Sequence, residues 1–444
     1  MKAIVVPGVT DLNKGDQALV WESHRIAMDT QLFEEVSILS LGDTEEEYQL
    51  LCAQSEAKGY RIIQNILKHP RRGKHPKGDV IGEGVFYLLF QVFNAVSDLF
   101  TRGFLLQICK NKFLTDLFFS KTTAKTIDEF RTTDAIFVKG GGFIHAHGEK
   151  TAPYVMWFFL FYIKLGIKLN KKLIFLPNSF GPFEGLTVST QIKKTLNKMD
   201  LVLARENISA QKISDLLGQT ISVSPDLGFY LKASDASVGR AVLNRYGFTE
   251  SDKVVGVTIR PWRFPGKENP ESLYEKYIHS VKELILHIDQ QGFKVAFFNQ
   301  SLGPNAHEDD RNAIEYLLSK LDSNDRAKFV WVNENFNCAD LKSVYSNLHF
   351  FIGTRFHSVI FSMTSIVPSI AIGYGGNKAK GIMSDFHLDD YVIQIEDVTP
   401  NDLITRFDKG IAAYASIKSR LTENIILLEQ KRVAAIALIK KAIA

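Results

Sequence analysis

Cysteine is scarce in this 444-residue chain: Cys52, Cys109 and Cys338 are the three it has, and they stand far apart. They offer neither a disulfide framework nor a metal-ligand cluster, so a reducing cytoplasm is the expected compartment. Charge of one sign is also in short supply. The 53 basic residues exceed the 49 acidic ones by only four, too small an excess for a nucleic-acid partner but compatible with small anionic substrates. No run reaches the roughly 18 uninterrupted apolar residues of a spanning helix; the nearest approach is Pro153 to Leu169. Also missing are a repeat of fixed period, a low-complexity segment and the spaced G-x-G-x-x-G signature of a dinucleotide site. Met1 leads straight into Ala3, Ile4, Val5 and Val6, which reads as a first buried strand rather than as the basic and apolar regions of a leader.

What is present is the mixture of a folded protein, 45% hydrophobic and 23% charged, in a chain long enough for two α/β domains of about 200 residues each. Short β-branched and aromatic runs alternate with longer amphipathic stretches, the habit of parallel sheets covered by helices. Expected strands include Ala3 to Val6, Ala135 to Val138, Leu173 to Leu176 and Leu201 to Ala204, then Val254 to Ile259, Lys294 to Phe298, Phe329 to Val332, Phe350 to Ile352 and Ser369 to Ile372. A polar stretch over Leu231 to Lys253 marks the junction. The expected domains are 1–235 and 236–400, followed by a helical tail over 401–444. Residues 64–123 form a less regular insertion: a basic run from Lys68 to Lys77, then aromatic stretches from Val85 to Phe119. This is either a solvated loop ahead of core helices or a peripheral contact with an anionic membrane surface.

Chemistry-bearing residues collect where the expected strands end, the side of an open parallel sheet that faces a ligand. After the first strand come Asn13, Lys14, Gly15 and Asp16; Asp16 can cap the next helix or accept a sugar hydroxyl. After Val138 stand Gly140, Gly141 and Gly142, which let backbone approach a ligand closely, and then His145 and His147, read as acceptor contacts or packing residues because no third zinc ligand is suitably spaced. Asn178 and Ser179 follow another strand in an expected turn. Arg205 follows the next, suited to an anion or to an ion pair with Asp226. In the second half Arg260 ends a strand, and Glu308, Asp309 and Asp310 read as solvated or helix-starting rather than as metal ligands. The strongest local signal is Gly353 to Ser358, where Arg355 can hold an anion and His357 can move a proton. Tyr374 and Lys378 lie in a glycine-rich loop beyond the last of these strands.

The ordered set of Asn13 to Leu19, Gly140 to Gly142, Asn178 to Phe183, Ala204 to Ser209, Pro225 and Asp226, Arg260 and Pro261, Gly353 to Ser358 and Tyr374 to Gly381 resembles the polysaccharide pyruvyl transferase family. The chain departs from the family pattern at Asn178, where glutamine is common. The resemblance implies two Rossmann-like domains facing a central cleft, similar to the B-type glycosyltransferase fold, with the acceptor on the first domain and the donor on the second. It also implies phosphoenolpyruvate as co-substrate, a sugar acceptor, free or polyprenyl-diphosphate-linked, and no cofactor or metal. By the same carry-over Arg205, Arg355 and His357 work on the donor. Protonation of the enol methylene by His357 would make the central carbon cation-like, one sugar hydroxyl would add there, and a second would displace phosphate and close a ketal. A nucleotide-sugar glycosyltransferase of the same fold, or an idle glycan- or membrane-binding protein, are the competing readings.

Overall fold

The computed structural model describes residues 1–42, 44–68, 85–303, 305–375 and 378–444, without the side chains of 85–88 and 378. Most of the basic run that begins at Lys68 lies outside the described residues. The chain divides into two compact units: the first comprises Met1–Asp11, Leu19–Leu227 and Gln430–Ala444, the second Leu12–Ala18 and Gly228–Glu429. The polar stretch over 231–253 falls inside the second unit, where Ala236–Arg245 forms a helix capped by the Asp235 carboxylate.

The first unit carries the strands β1 (Lys2–Val6), β2 (Glu35–Leu39), β3 (Arg61–Ile63), β4 (Ala135–Val138), β5 (Gly141–His147), β6 (Lys172–Glu184), β7 (Leu201–Ala204) and β8 (Ser222–Val223). They form one parallel sheet in the order β3-β2-β1-β4-β6-β7-β8, with β5 pairing alongside β6. β4 is buried at every position, as a strand covered on both faces must be, and so reads as an unbroken apolar run. Helices over Lys121–Thr132, Phe161–Lys168 and Val188–Leu196 supply the covering layers; Ile127, Phe130, Phe161, Leu165 and Ile192 join the sheet residues in one core. The aromatic run after Pro153 therefore belongs to this core: Met156, Leu160 and Phe161 are fully enclosed, and Trp157, Phe158 and Phe159 pack against it.

The second unit is built from β9 (Val254–Thr258), β10 (Lys294–Phe298), β11 (Val330–Val332), β12 (Phe350–Gly353), β13 (Ser369–Gly373) and β14 (Val392–Gln394), all parallel, in the order β11-β10-β9-β12-β13-β14. Renumbered within the unit this is 3-2-1-4-5-6, the doubly wound order of a Rossmann fold. The expected α/β class with two parallel-sheet domains is thus what the chain forms. Its last long helix, Tyr414–Ile443, runs to the C-terminus. The terminal turns join the first unit through Arg432 to Asp29 at 2.5 Å and through Lys172 Nζ donating to the Ala442 carbonyl.

Candidate active site

In a doubly wound sheet the chain leaves the first strand toward one side and the fourth toward the other, opening a crevice at their carboxyl ends. In the second unit those strands are the neighbours β9 and β12. β9 runs into Ile259 and Arg260, and β12 into Thr354, Arg355 and His357. Both arginines are buried, and two guanidinium groups at a switch point have the chemistry to bind an anion.

Arg355 is held rigidly. Its Nε donates to Asp310 Oδ1 at 2.7 Å and its Nη2 to the Glu308 carbonyl at 2.8 Å. Asp310 is itself fully buried, and its other oxygen accepts the backbone N–H groups of Gln300 and Ser301 at 2.9 Å each. Burial works against the Arg355 charge, but Asp310, with Tyr374 and Glu308 adding to it, holds the guanidinium above its ordinary value. The turn is pinned from below. Ser358 Oγ donates to the Arg355 carbonyl at 2.6 Å and lies 2.8 Å from Thr258 Oγ1, while Tyr277 Oη meets Thr354 Oγ1 at 2.8 Å. Asp309 caps the helix Asp310–Ser319, as expected for a helix-starting residue. Asp310 starts that helix but is not solvated, because its carboxylate turns inward to Arg355. Among the described residues no group of three or more His, Cys, Asp or Glu is arranged to hold a metal ion.

Arg260 is placed differently. Its Cζ lies 4.2 Å from the Tyr374 ring centroid and 4.8 Å from that of Trp262, so two aromatic faces hold the cation. Among the described residues no carboxylate lies within ion-pair distance of it, and burial pushes its guanidinium below the ordinary value. Arg260 Nε, Trp262 Nε1 and His307 Nε2 are buried without a hydrogen-bond partner among the described residues. A buried cation and unpaired ring nitrogens are costly unless a ligand supplies acceptors.

His357 occupies the first turn of the helix Phe356–Met363. The segment Leu12–Ala18 packs in this same unit. A side chain at Gly15 would collide with the His357 imidazole, so glycine is required for the approach. Asn13, not Asp16, caps the helix Lys14–Asp29, its Oδ1 accepting from Gly15 N at 3.0 Å and Asp16 N at 3.3 Å. Lys14 is buried with Nζ 2.6 Å from Asn335 Oδ1, and Gln17 Oε1 accepts the Cys338 N–H at 2.7 Å. Lys378 opens the helix Lys378–Asp385.

Glu308 adds a titratable group that the sequence did not single out for this site. Burial raises its carboxyl above the ordinary value against the pull of Arg355 and Arg260, with Asp16 and Asp310 adding to the rise. A raised folded-state value means that the native protein binds this proton more tightly than the unfolded chain does. Its stabilising contribution is therefore present at acid pH and is lost as pH rises from the ordinary carboxylate range through the raised value. Glu308→Gln is expected to raise the melting temperature of the ligand-free protein at pH 7 by roughly 1–3 °C, with the gain vanishing on acidification. Calorimetric scans across pH check this; a pH-independent difference would contradict it.

The remaining residues expected in a site lie together in the first unit. Gly141 takes a left-handed φ of 148°, and β5 then presents Gly142, His145 and His147 on its exposed side. The two imidazole centroids are 5.5 Å apart, and burial, with His147 second, lowers His145. Asn178 and Ser179 are not in a turn: β6 continues through them to Glu184, and Asn178 is buried, its Nδ2 directed to the Lys139 carbonyl at 3.3 Å. Arg205 makes the ion pair with Asp226, at 2.7 Å between Nη1 and Oδ2, while its Nε donates to Ser179 Oγ at 2.6 Å. Its Nη2 stands 3.0 Å from where a Gly142 Cβ would be, and no protein acceptor among the described residues occupies it.

Comparison with known proteins agrees with this architecture. A model of the family "Polysaccharide pyruvyl transferase" matches residues 76–376. The amylovoran biosynthesis protein AmsJ of Erwinia amylovora is 20% identical over 311 residues, 69% of this chain and 71% of its own. The fold is similar to that of Glycyrrhiza uralensis UGT73P12, with a TM-score of 0.56 at 10% identity over 100% of this chain and 96% of that one. It is equally similar to the UDP-GlcNAc 2-epimerase of Neisseria meningitidis, at 0.56 and 11% identity over 99% and 100%. At such identities the structural likeness speaks for the two-domain glycosyltransferase-type fold alone. The family match spans most of the chain, from the insertion through both switch-point arginines to Tyr374, and places this protein among the polysaccharide pyruvyl transferases.

Proposed function

We propose that the protein transfers the enolpyruvyl group of phosphoenolpyruvate to a sugar, of galactose type, in a surface or capsular glycan precursor, forming a pyruvate ketal and releasing phosphate. The observation that carries this reading is Arg260, a buried cation without a carboxylate in range among the described residues, at the same sheet switch point as Arg355 and His357. A donor with a carboxylate and a phosphate supplies two anionic groups for two guanidinium groups. Arg355 arrives already oriented by Asp310 and so loses little freedom on binding.

Chemically, His357 gives a proton to the methylene carbon of the donor, whose double-bond electrons form the new C–H bond and leave the central carbon cation-like. A sugar hydroxyl oxygen bonds to that carbon and loses its proton, which restores His357. A second hydroxyl bonds there as the C–O bond to phosphate breaks, and its proton leaves with the phosphate. Arg260 and Arg355 stabilise the charge that gathers on the departing group. No cofactor is consumed in this balance. The relation to a protein of amylovoran biosynthesis supports a polysaccharide precursor as acceptor, lipid-linked or free.

The test is phosphate release from phosphoenolpyruvate across a panel of free and lipid-linked galactosides and related sugars. Sugar-dependent release with a pyruvylated product is the expected result. Release of a nucleoside diphosphate from a nucleotide sugar, with phosphoenolpyruvate inert, would replace this reading by glycosyl transfer.

A further inference from the structure

The helix Val85–Ile108 in the first unit is inside out. Its inward stripe at Asn94, Asp98 and Leu105 begins with two polar residues, 5% and 4% exposed; Asp98 accepts from Tyr154 Oη at 3.1 Å. Its outward stripe at Phe93, Val96, Phe100 and Phe104 is apolar, with Phe93 69% and Phe100 75% exposed. An ordinary surface helix has the opposite arrangement. The apolar face continues onto the helix Lys112–Phe118, where Phe113 and Phe118 are exposed and the Phe118 ring meets Phe104 edge-on at 5.4 Å. A contiguous exposed patch of this kind marks an interaction surface.

We infer that this two-helix face docks the protein on an anionic lipid surface. The charges around it select that occupant. Between residues 89 and 121 the cations are Arg102, Lys110, Lys112 and Lys121; Lys112 is paired with Asp116 at 3.1 Å and with Asp128 at 2.7 Å, and the other acid of the stretch, Asp98, is turned inward. Aromatic and aliphatic side chains entering the headgroup boundary, flanked by cations, are the chemistry of an interfacial helix. Among the described residues no helix is long and apolar enough to cross a membrane, so the contact is peripheral. A second copy of the chain would bring the same cations against themselves.

The experiment is sedimentation of the full chain with vesicles of phosphatidylcholine alone or mixed with phosphatidylglycerol, at low and high salt. It reads lipid binding and is independent of the reaction catalysed. Wild-type protein is expected to bind the anionic vesicles and to release as salt rises. The double variant Phe93→Ser/Phe100→Ser should lose binding by roughly tenfold or more, without a fall in melting temperature because both rings are already exposed. Lys110→Gln/Lys121→Gln should weaken binding to anionic vesicles and flatten its salt dependence. Failure of wild-type protein to bind the anionic vesicles overturns the inference, as does undiminished binding of the phenylalanine variant. A wild-type dimer that ignores vesicles and that the phenylalanine variant turns into a monomer would instead make this face a subunit interface.

Discussion

Replacing His357 by Gln is expected to lower turnover by roughly 100- to 10,000-fold, the usual worth of a positioned proton donor, while phosphoenolpyruvate still binds. Glutamine keeps the polar reach of the side chain but does not titrate near neutrality. The substitution therefore separates hydrogen bonding from proton transfer. Binding should survive because the proposed anion site rests on Arg260 and Arg355, and Arg355 is held by Asp310 and the Glu308 carbonyl rather than by His357. The proper measurement is paired: steady-state phosphate release for turnover, and calorimetric titration of phosphoenolpyruvate into the folded variant for affinity. An interaction needed only in the transition state lowers turnover and leaves ground-state binding nearly untouched. Near-normal turnover in the folded variant would remove His357 from the mechanism, and equal losses in affinity and turnover would make it a binding residue instead.

Asp310→Ala should cost about 3–5 kcal/mol of stability, because it leaves the Arg355 cation buried without its partner; for a domain of this size that is on the order of 10 °C in melting temperature. The Gln300 and Ser301 amides lose their acceptor in the same step. The loss carries a signature that a mere packing defect lacks. With Arg355 unpaired, the switch point holds two uncompensated guanidinium groups instead of one, so inorganic phosphate should raise the melting temperature of the variant more than that of the wild type. Differential scanning calorimetry with and without phosphate reads both effects. A melting temperature within about 2 °C of wild type would show that the pair contributes little, and an equal phosphate response in the two proteins would show that Arg355 does not face the anion site.

Much of this site is legible along the chain because a parallel strand buried on both faces leaves a distinctive trace. Val254 to Thr258 and Phe350 to Gly353 are unbroken small and apolar runs, and the charged residue that ends each one marks the carboxyl edge of the sheet. Arg260, Arg355 and His357 are found by that reading. Asp310 is not, since its partner stands 45 residues away and an acid at the start of a helix looks the same whether it faces water or a guanidinium. Trp262 and His307 are missed for a related reason: their unpaired nitrogens exist only where the fold excludes water. At Arg205 the ion pair to Asp226 was one of two chemically equal options, and the choice depended on the end of β7 and the segment at Asp226, 21 residues on, meeting in space.

By itself, then, the sequence determined the α/β class, nine of the fourteen strands among the described residues, the sheet edges where polar and charged residues collect, and the family pattern, since all of these follow from local hydrophobic runs and the residues that end them. Tertiary structure alone decided which like residues have different fates. Phe161 and Phe100 are the same side chain in two aromatic stretches, yet one is fully buried in the first core and the other faces outward. Likewise Leu12–Ala18 precedes most of the first unit in the chain but packs in the second, bringing Gly15 against His357. Burial is set by which surfaces the whole fold brings together, and that sum over distant contacts is not written in any local stretch of chain.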